Sequence, residues 1–330
     1  MPDHTKTLAA MSALLREANP EPGIKALFRR TRFWMYAAIY PSAARIWMSA
    51  FRQSPLLADI ARFDRRFVER PFHCFGYASM SALQRATMMR THYAVMPRLL
   101  GESATRSLYL GGEACTLASC PQFSIVLRQA TRCKREGLLT VASVDESSGI
   151  DLAWATITFE SGTQGRPVRV FVGGLQGPSG CDRERVRMMT RACHGLRPKA
   201  AVMEAVMALC RLVGADRLTA VSRALHVSSA AASEFRADYD AFWREMGGIE
   251  LSGRFVLPLA MPHRNVSEVP SSKRSAFRRR HTLTAQLLEQ LEQNVQAMRG
   301  ADEPIDRRYA APSSVRHLPE AQRDADSLPA

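Results

Sequence analysis

Val168-Arg169-Val170-Phe171-Val172, followed at once by Gly173-Gly174-Leu175-Gln176-Gly177-Pro178, decides how this chain is to be read. Apolar β-branched residues at alternate positions share one face of a strand. The glycine-rich run behind them predicts a turn, where the backbone needs positive φ or something approaches it closely. A first helix is predicted over residues 182–193. Asp182 serves as its N-cap, Val186, Met189 and Cys193 have helical spacing, and Gly195 lies just past its end. Beyond the connector His194-Gly195-Leu196-Arg197-Pro198-Lys199, a second helix over 199–213 is apolar almost all round, interrupted by Glu204 and Arg211, as in a buried helix. Gly214 stops it, and Arg217-Leu218-Thr219-Ala220-Val221-Ser222 reads as the next strand. Strand, glycine run, two helices and strand form the unit on which the fold rests.

Upstream of this unit the chain reads as helical. Residues 6–18 predict a short amphipathic helix ended by Asn19-Pro20-Glu21-Pro22-Gly23. The segment from Arg29 to Tyr40 is basic first and aromatic after. It has two readings: a helix in a bilayer interface with Trp34 and Tyr36 at headgroup depth, or, the preferred one, a helix packed on the core through the same aromatics. Ser54-Pro55 opens a helix carrying Leu56, Leu57, Ile60 and Phe63. Residues 79–100 predict another, with Met80, Leu83, Thr87 and Met88 facing inward.

The reading changes at Gly111-Gly112. Residues 123–128, 138–144 and 150–159 predict a meander of strands, and 161–166 turn the chain into the Val168 strand. After Ser222 come a loop holding His226, a helix around Tyr239-Asp240-Ala241-Phe242-Trp243-Arg244, Gly247-Gly248 and a closing hairpin over 249–251 and 254–259. Residues 262–271 read as a linker. Lys273-Arg274-Ser275-Ala276-Phe277-Arg278-Arg279-Arg280-His281 starts a basic helix reaching about Met298, and the polar residues from Gly300 onward are expected to be disordered. The expected organisation is therefore a basic helical domain over 1–110, an α/β domain over 111–262, a linker and basic helix over 263–299, and a tail over 300–330. The fold class is α+β, with a mixed, mostly antiparallel sheet flanked by helices.

The 330 residues carry 45 basic and 31 acidic side chains, a net charge of +14. The excess is regional. Residues 1–110 hold 16 basic against 7 acidic, and residues 166–300 hold 21 against 12. Such regions favour an anionic partner: lipid headgroups, phosphate or nucleic acid. Seven cysteines form no Cys-x-x-Cys pair, which argues against a zinc ribbon or a disulfide framework and for reduced thiols. The start, Met1-Pro2-Asp3-His4-Thr5-Lys6, lacks the basic and apolar regions of a secretory signal, and the richest early apolar stretch, 33–40, is far short of a spanning helix. A cytoplasmic protein, at most peripheral on the inner membrane, is expected.

The runs Gly173–Pro178, His194–Lys199, Tyr239–Trp243 with Gly247-Gly248, and Pro270-Ser271-Ser272-Lys273-Arg274 occur in this order, and the chain over roughly residues 25–295 closely resembles the VirK/YbjX family of bacterial proteins. That resemblance implies a bacterial intracellular protein linked to virulence, stress response and resistance to cationic antimicrobial peptides through envelope changes, with no established biochemical activity. The Ser/Ala-rich run over 228–233 stands where the family leads one to expect a more basic loop. The order of elements also resembles GNAT-type acyltransferases. In those enzymes a strand splays from its neighbour, and amides at a following helix N-terminus hold the acyl carrier's pyrophosphate. Here the usual Q/R-x-x-G-x-G/A signature is missing and an extra helix lies between the two strands.

On these readings Glu204, in a nearly all-apolar helix, is a candidate general base or an ion-paired carboxylate. His226 is a candidate base or a plain loop histidine. Tyr239 and Asp240 can donate a proton and orient a base, or Tyr239 can simply pack with Phe242 and Trp243. His194 is read as a cap at a helix C-terminus. Gln176 and Gly177 are placed at a ligand cleft, with Arg197 and Lys199 on an anionic donor at the start of the buried helix. The donor implied is acyl-CoA or aminoacyl-tRNA, and the acceptor an envelope component at the inner membrane face. The rival reading is a non-enzymatic regulator or adaptor. Lys273, Arg274, Arg278, Arg279 and Arg280 are the candidate contacts to its anionic partner, with lipid preferred over nucleic acid. No metal-ligand spacing is present.

Overall fold

The computed structural model describes residues 2–21, 23–162, 168–178, 182–228, 238–262 and 265–300. Most of the turn expected at 161–166, most of the Ser/Ala run and the tail beyond Gly300 lie outside these.

Helices α1 (Pro2–Glu17), α2 (Ile24–Ile39), α3 (Pro41–Gln53), α4 (Pro55–Phe63), α5 (Ala82–Leu100) and α6 (Glu102–Arg106) form the first third, with a 3-10 turn over Phe67–Phe72 and a widened π-type turn over Ser107–Gly111. Prolines at the starts of α3 and α4 supply the helical φ where a missing N–H costs nothing. Ser81 and Gln84 cap α5 reciprocally, side chain to backbone each way at 3.2 and 2.8 Å. Leu83, in the first turn of α5, and Phe63, the last residue of α4, point to solvent rather than inward. Both stand at helix ends, where no second layer reaches them.

Strands β1 (Cys115–Ser119), β2 (Phe123–Gln129), β3 (Leu139–Asp145), β4 (Asp151–Glu160), β5 (Arg169–Gln176), β6 (Arg217–Val221), β7 (Ile249–Leu251) and β8 (Arg254–Leu257) make one mixed sheet in the order β1-β2-β3-β4-β5-β6-β8-β7. Every pair is antiparallel except β5 with β6. That parallel step requires a crossover, supplied by α7 (Asp182–Ala192) and α8 (Pro198–Leu212). The sheet is thus α+β as expected. Its first strand, β1, escapes the sequence reading because five residues of mixed polarity carry little signal.

Between α5 and α8, β4 is buried along nearly its whole length, so the polar–apolar alternation of a half-exposed strand vanishes. The long helix α10 (Ser271–Arg299) covers the β1 edge. Gln290 accepts the Ser119 N–H and Asn294 donates to the Leu117 carbonyl, both at 3.0 Å, satisfying edge groups that would otherwise be open to pairing. One apolar cluster runs from Met11 in α1 through the sheet to Val295 in α10.

The largest departure from expectation concerns the glycine run. Gly173 to Gln176 do not turn; they continue β5. Register with β4 jumps from Ile157↔Val172 to Thr156↔Gly174, so Gly173 is the extra residue of a bulge. Close approach, the other property glycine allows, explains the pair. A Cβ on Gly173 would overlap the Glu136 carbonyl, and one on Gly174 would overlap the Glu136 carboxylate.

Candidate functional site

Pairing of β5 with β6 stops at Val172↔Ala220, while β5 runs on to Gln176. Opposite this free length, three segments deliver polar side chains into an otherwise apolar interior. Glu136 comes from the β2–β3 connection, His226 from the loop after β6, and Tyr239 from the first turn of α9 (Tyr239–Glu245). Ordinarily successive strand residues face opposite sides. The bulge brings Gly173 and Gly174 both under Glu136 and so makes the floor on which its carboxylate rests.

The carboxylate is buried, with Oε1 accepting from Gln176 Nε2 at 2.8 Å and facing His226 Nε2 at 3.4 Å. His226 Nδ1 accepts the Ser228 N–H at 3.2 Å, which places the proton of the neutral ring on Nε2, towards Glu136. Oε2 has no hydrogen-bond donor on it among the described residues. Burying a carboxylate is costly unless donors surround it, so Gln176 and His226 carry much of the cost of placing Glu136 here. The Tyr239 ring lies 5.5 Å from that of His226 and stacks on Trp243 at 6.0 Å. Burial, reinforced by the charge of Glu136, pushes the Tyr239 hydroxyl well above the usual phenol range. Burial and then Glu136 likewise raise the Cys133 thiol.

The surrounding backbone is stitched from several directions. Arg135 donates to the Val227 carbonyl, Gly76 N–H to the Arg135 carbonyl and Arg70 to the Lys134 carbonyl. Tyr77 forms an isolated bridge with His226. The helical layer therefore positions the Glu136 loop as much as the sheet does.

Of the residues singled out from sequence, Gln176, His226 and Tyr239 are brought together. Lys199, in the first turn of α8, passes 3.6 Å from where a Gly177 Cβ would stand, 6.0 Å from the Phe242 ring centre. Burial, with Arg197 adding, lowers its pKa. Arg197 is ion-paired with Glu245 and ties the start of α8 to α9. Asp240 accepts the Arg223 N–H at 2.8 Å, so its oxygen serves the loop before His226. Glu204 lies elsewhere. It borders a small apolar cavity with Ala118, Ile125, Leu196 and Leu287, and burial raises its pKa against the opposing charge of Arg211.

A second grouping forms where α10 passes the α7–α8 connector. Arg278 and Arg279 share a groove of about 320 Å³ with His194, Gln122, Thr282 and Gln286. Arg280 reaches to 3.7 Å from the Cβ position of Gly195. Arg274 is occupied by the Val269 and Ser267 carbonyls, while Lys273 is exposed. Among the described residues no cluster of His, Cys, Asp and Glu has metal-binding geometry.

Glu136 and Cys133 were not legible as site residues. The one available signal was the pair of glycines inside a strand-like run, which marks close approach but not what approaches.

The molecule is thus an α+β protein with a mixed eight-stranded sheet and a buried carboxylate–imidazole–phenol grouping at the end of its parallel strand pair. It belongs to the family described as "Protein of unknown function (DUF535)", which matches residues 22–297. It is similar to the uncharacterized protein YbjX of Escherichia coli (strain K12), 29% identical over 266 residues that cover 77% of this chain and 79% of that protein. An uncharacterized protein of Haemophilus influenzae is 32% identical over 129 residues, 38% of this chain and 44% of its own.

Proposed function

We propose that the chain is a GNAT-like group-transfer enzyme that moves an acyl or aminoacyl unit onto an amine or hydroxyl of an envelope component. The observation that carries this reading is the buried Glu136 carboxylate held between Gln176 and His226 where β5 leaves β6. In this reading Glu136 takes the proton of the attacking nucleophile as the new bond to the carbonyl carbon forms, and His226 holds the carboxylate through Nε2–H. The bond to the carrier then breaks as Tyr239 gives its proton to the leaving atom, and Glu136 passes the proton it took to the Tyr239 oxygen, which restores both groups. The donor in this reading is an activated acyl or aminoacyl group on its carrier, an ester such as aminoacyl-tRNA or the thioester of acyl-CoA. Gly177, Lys199 and the start of α8 supply the anion-facing wall for the donor.

Calorimetry with the purified chain tests the reading. A hydrolysis-resistant aminoacyl-tRNA analogue or acyl-CoA should bind. A folded chain that binds neither at millimolar concentration overturns it.

The groove beside Arg278 and Arg279 favours a second reading, an adaptor that engages an anionic partner without chemistry. In cells, Glu136→Gln with His226→Ala should abolish resistance to cationic peptides if transfer is the function. Neutralising Arg278, Arg279 and Arg280 should abolish it if binding is.

A further inference from the structure

Helix α2 turns Phe33, Trp34 and Tyr36 towards the core and leaves a different apolar face in solvent. Phe33 is fully buried, and Tyr36 stacks on Phe72 at 5.4 Å. On the outer side Ile24 is 82% exposed, Phe28 63% and Ile39 56%, with Leu27 and Met35 between them. At 100° per residue these positions fall within a sector of about 120° that runs the length of the helix, roughly 22 Å. Thr31, within the same sector, has its hydroxyl bonded back to the Leu27 carbonyl at 2.9 Å, so the stripe presents no unmet donor.

The charge carried by α2 and α3 is of one sign only. From Ile24 to Gln53, the span of α2 and α3, there are six basic residues and no Asp or Glu. Lys25 and Arg45 are exposed. Three acids of the same helical layer are already matched: Glu21 by Arg65, Glu17 by Arg62, and Glu69 by Arg32. A second copy of the chain docked here would set cations against cations. An anionic bilayer satisfies both features, since its headgroups neutralise the flanks while its acyl boundary takes the apolar side chains. No helix among the described residues is long and apolar enough to cross a membrane, so contact through this face is contact in the plane.

We propose that the outer face of α2 seats the chain on an anionic lipid surface, with Leu27, Phe28, Met35 and Ile39 in the interface and Lys25 and Arg45 on phosphates. This supplies the membrane contact that the transfer reading calls for, but it stands on its own observation, and its assay reads no chemistry.

Sedimentation of the full chain with phosphatidylcholine vesicles, plain or carrying roughly 30 mol% phosphatidylglycerol, is the test. Binding should appear with the anionic vesicles and weaken with salt. It should fall about tenfold or more in Phe28→Ser with Ile39→Ser, and in Lys25→Glu with Arg45→Glu, at unchanged helicity. Arg183→Ala with Arg187→Ala, at exposed positions of α7, should bind as the parent does. Should the serine variant misfold, Phe28→Trp reports instead, through a blue shift on anionic vesicles beyond that of the parent. No binding by the parent, undiminished binding by the α2 variants, or a dimer that the same variants dissolve would each overturn the proposal.

Discussion

Glu136 lies directly on the backbone of Gly173, closely enough that no side chain fits beneath its carbonyl. Gly173→Ala must therefore move the β2–β3 connection or break the bulge, and we expect a loss of about 3 kcal/mol or more in urea unfolding. At Gly174 the overlap is with the carboxylate, the far end of a rotatable side chain. Gly174→Ala should cost less, roughly 1–2 kcal/mol, while displacing the carboxylate from Gln176.

Glu136→Gln keeps the size of the side chain and removes its charge. Melting should move by only a few degrees, while transfer, assayed with the donor that binds, should fall about 100-fold or more. His226→Ala withdraws one group facing the carboxylate and should cost roughly 1–3 kcal/mol of stability besides its effect on rate. A Glu136→Gln variant with full activity would remove Glu136 from the chemistry.

His92 is a buried histidine of another kind. Its Nδ1 accepts the Phe159 N–H at 3.3 Å and its Nε2 lies 2.6 Å from the Tyr109 hydroxyl. Burial, with the charge of Arg70 adding, depresses its pKa to about 3. An unfolded histidine titrates near 6.5, so below that pH the unfolded chain takes a proton the folded chain refuses. The stability this group provides is intact above pH 6.5 and is lost as pH falls towards 3, at up to about 1.4 kcal/mol per unit. Urea midpoints at pH 7 and pH 5 should show it, and His92→Gln should flatten the difference.

Cys120, in the β1–β2 turn, titrates together with the neighbouring Cys193, whose thiol lowers the Cys120 pKa in spite of burial. The Cys193 thiol moves the other way for the same reason and is itself buried. Iodoacetamide labelling followed by mass spectrometry should modify Cys120 at a lower pH than an ordinary thiol and spare Cys193. In Cys193→Ala the Cys120 midpoint should rise towards about 8.5, the value of a free thiol.

Local periodicity carried most of the element order, because a helix or strand writes its spacing into a dozen neighbouring residues whatever it packs against. The 182–193 and 199–213 helices, the meander and the closing hairpin were legible for that reason. So were His226, Tyr239 and Gln176 as residues whose chemistry invites a site. What they face was not legible: Glu136 reaches them from 90 residues before His226, through a bulge that no local spacing encodes. Glu204 and His226 looked like alternative bases of one site and stand in separate surroundings, because α8 turns Glu204 towards α10 while the loop after β6 turns His226 towards the Glu136 loop. The outer face of α2 was decided in the same way. Its apolar residues are written all round the helix, and only the placement of α3 and the Phe67–Phe72 turn selects which of them are covered and which are left to meet something else.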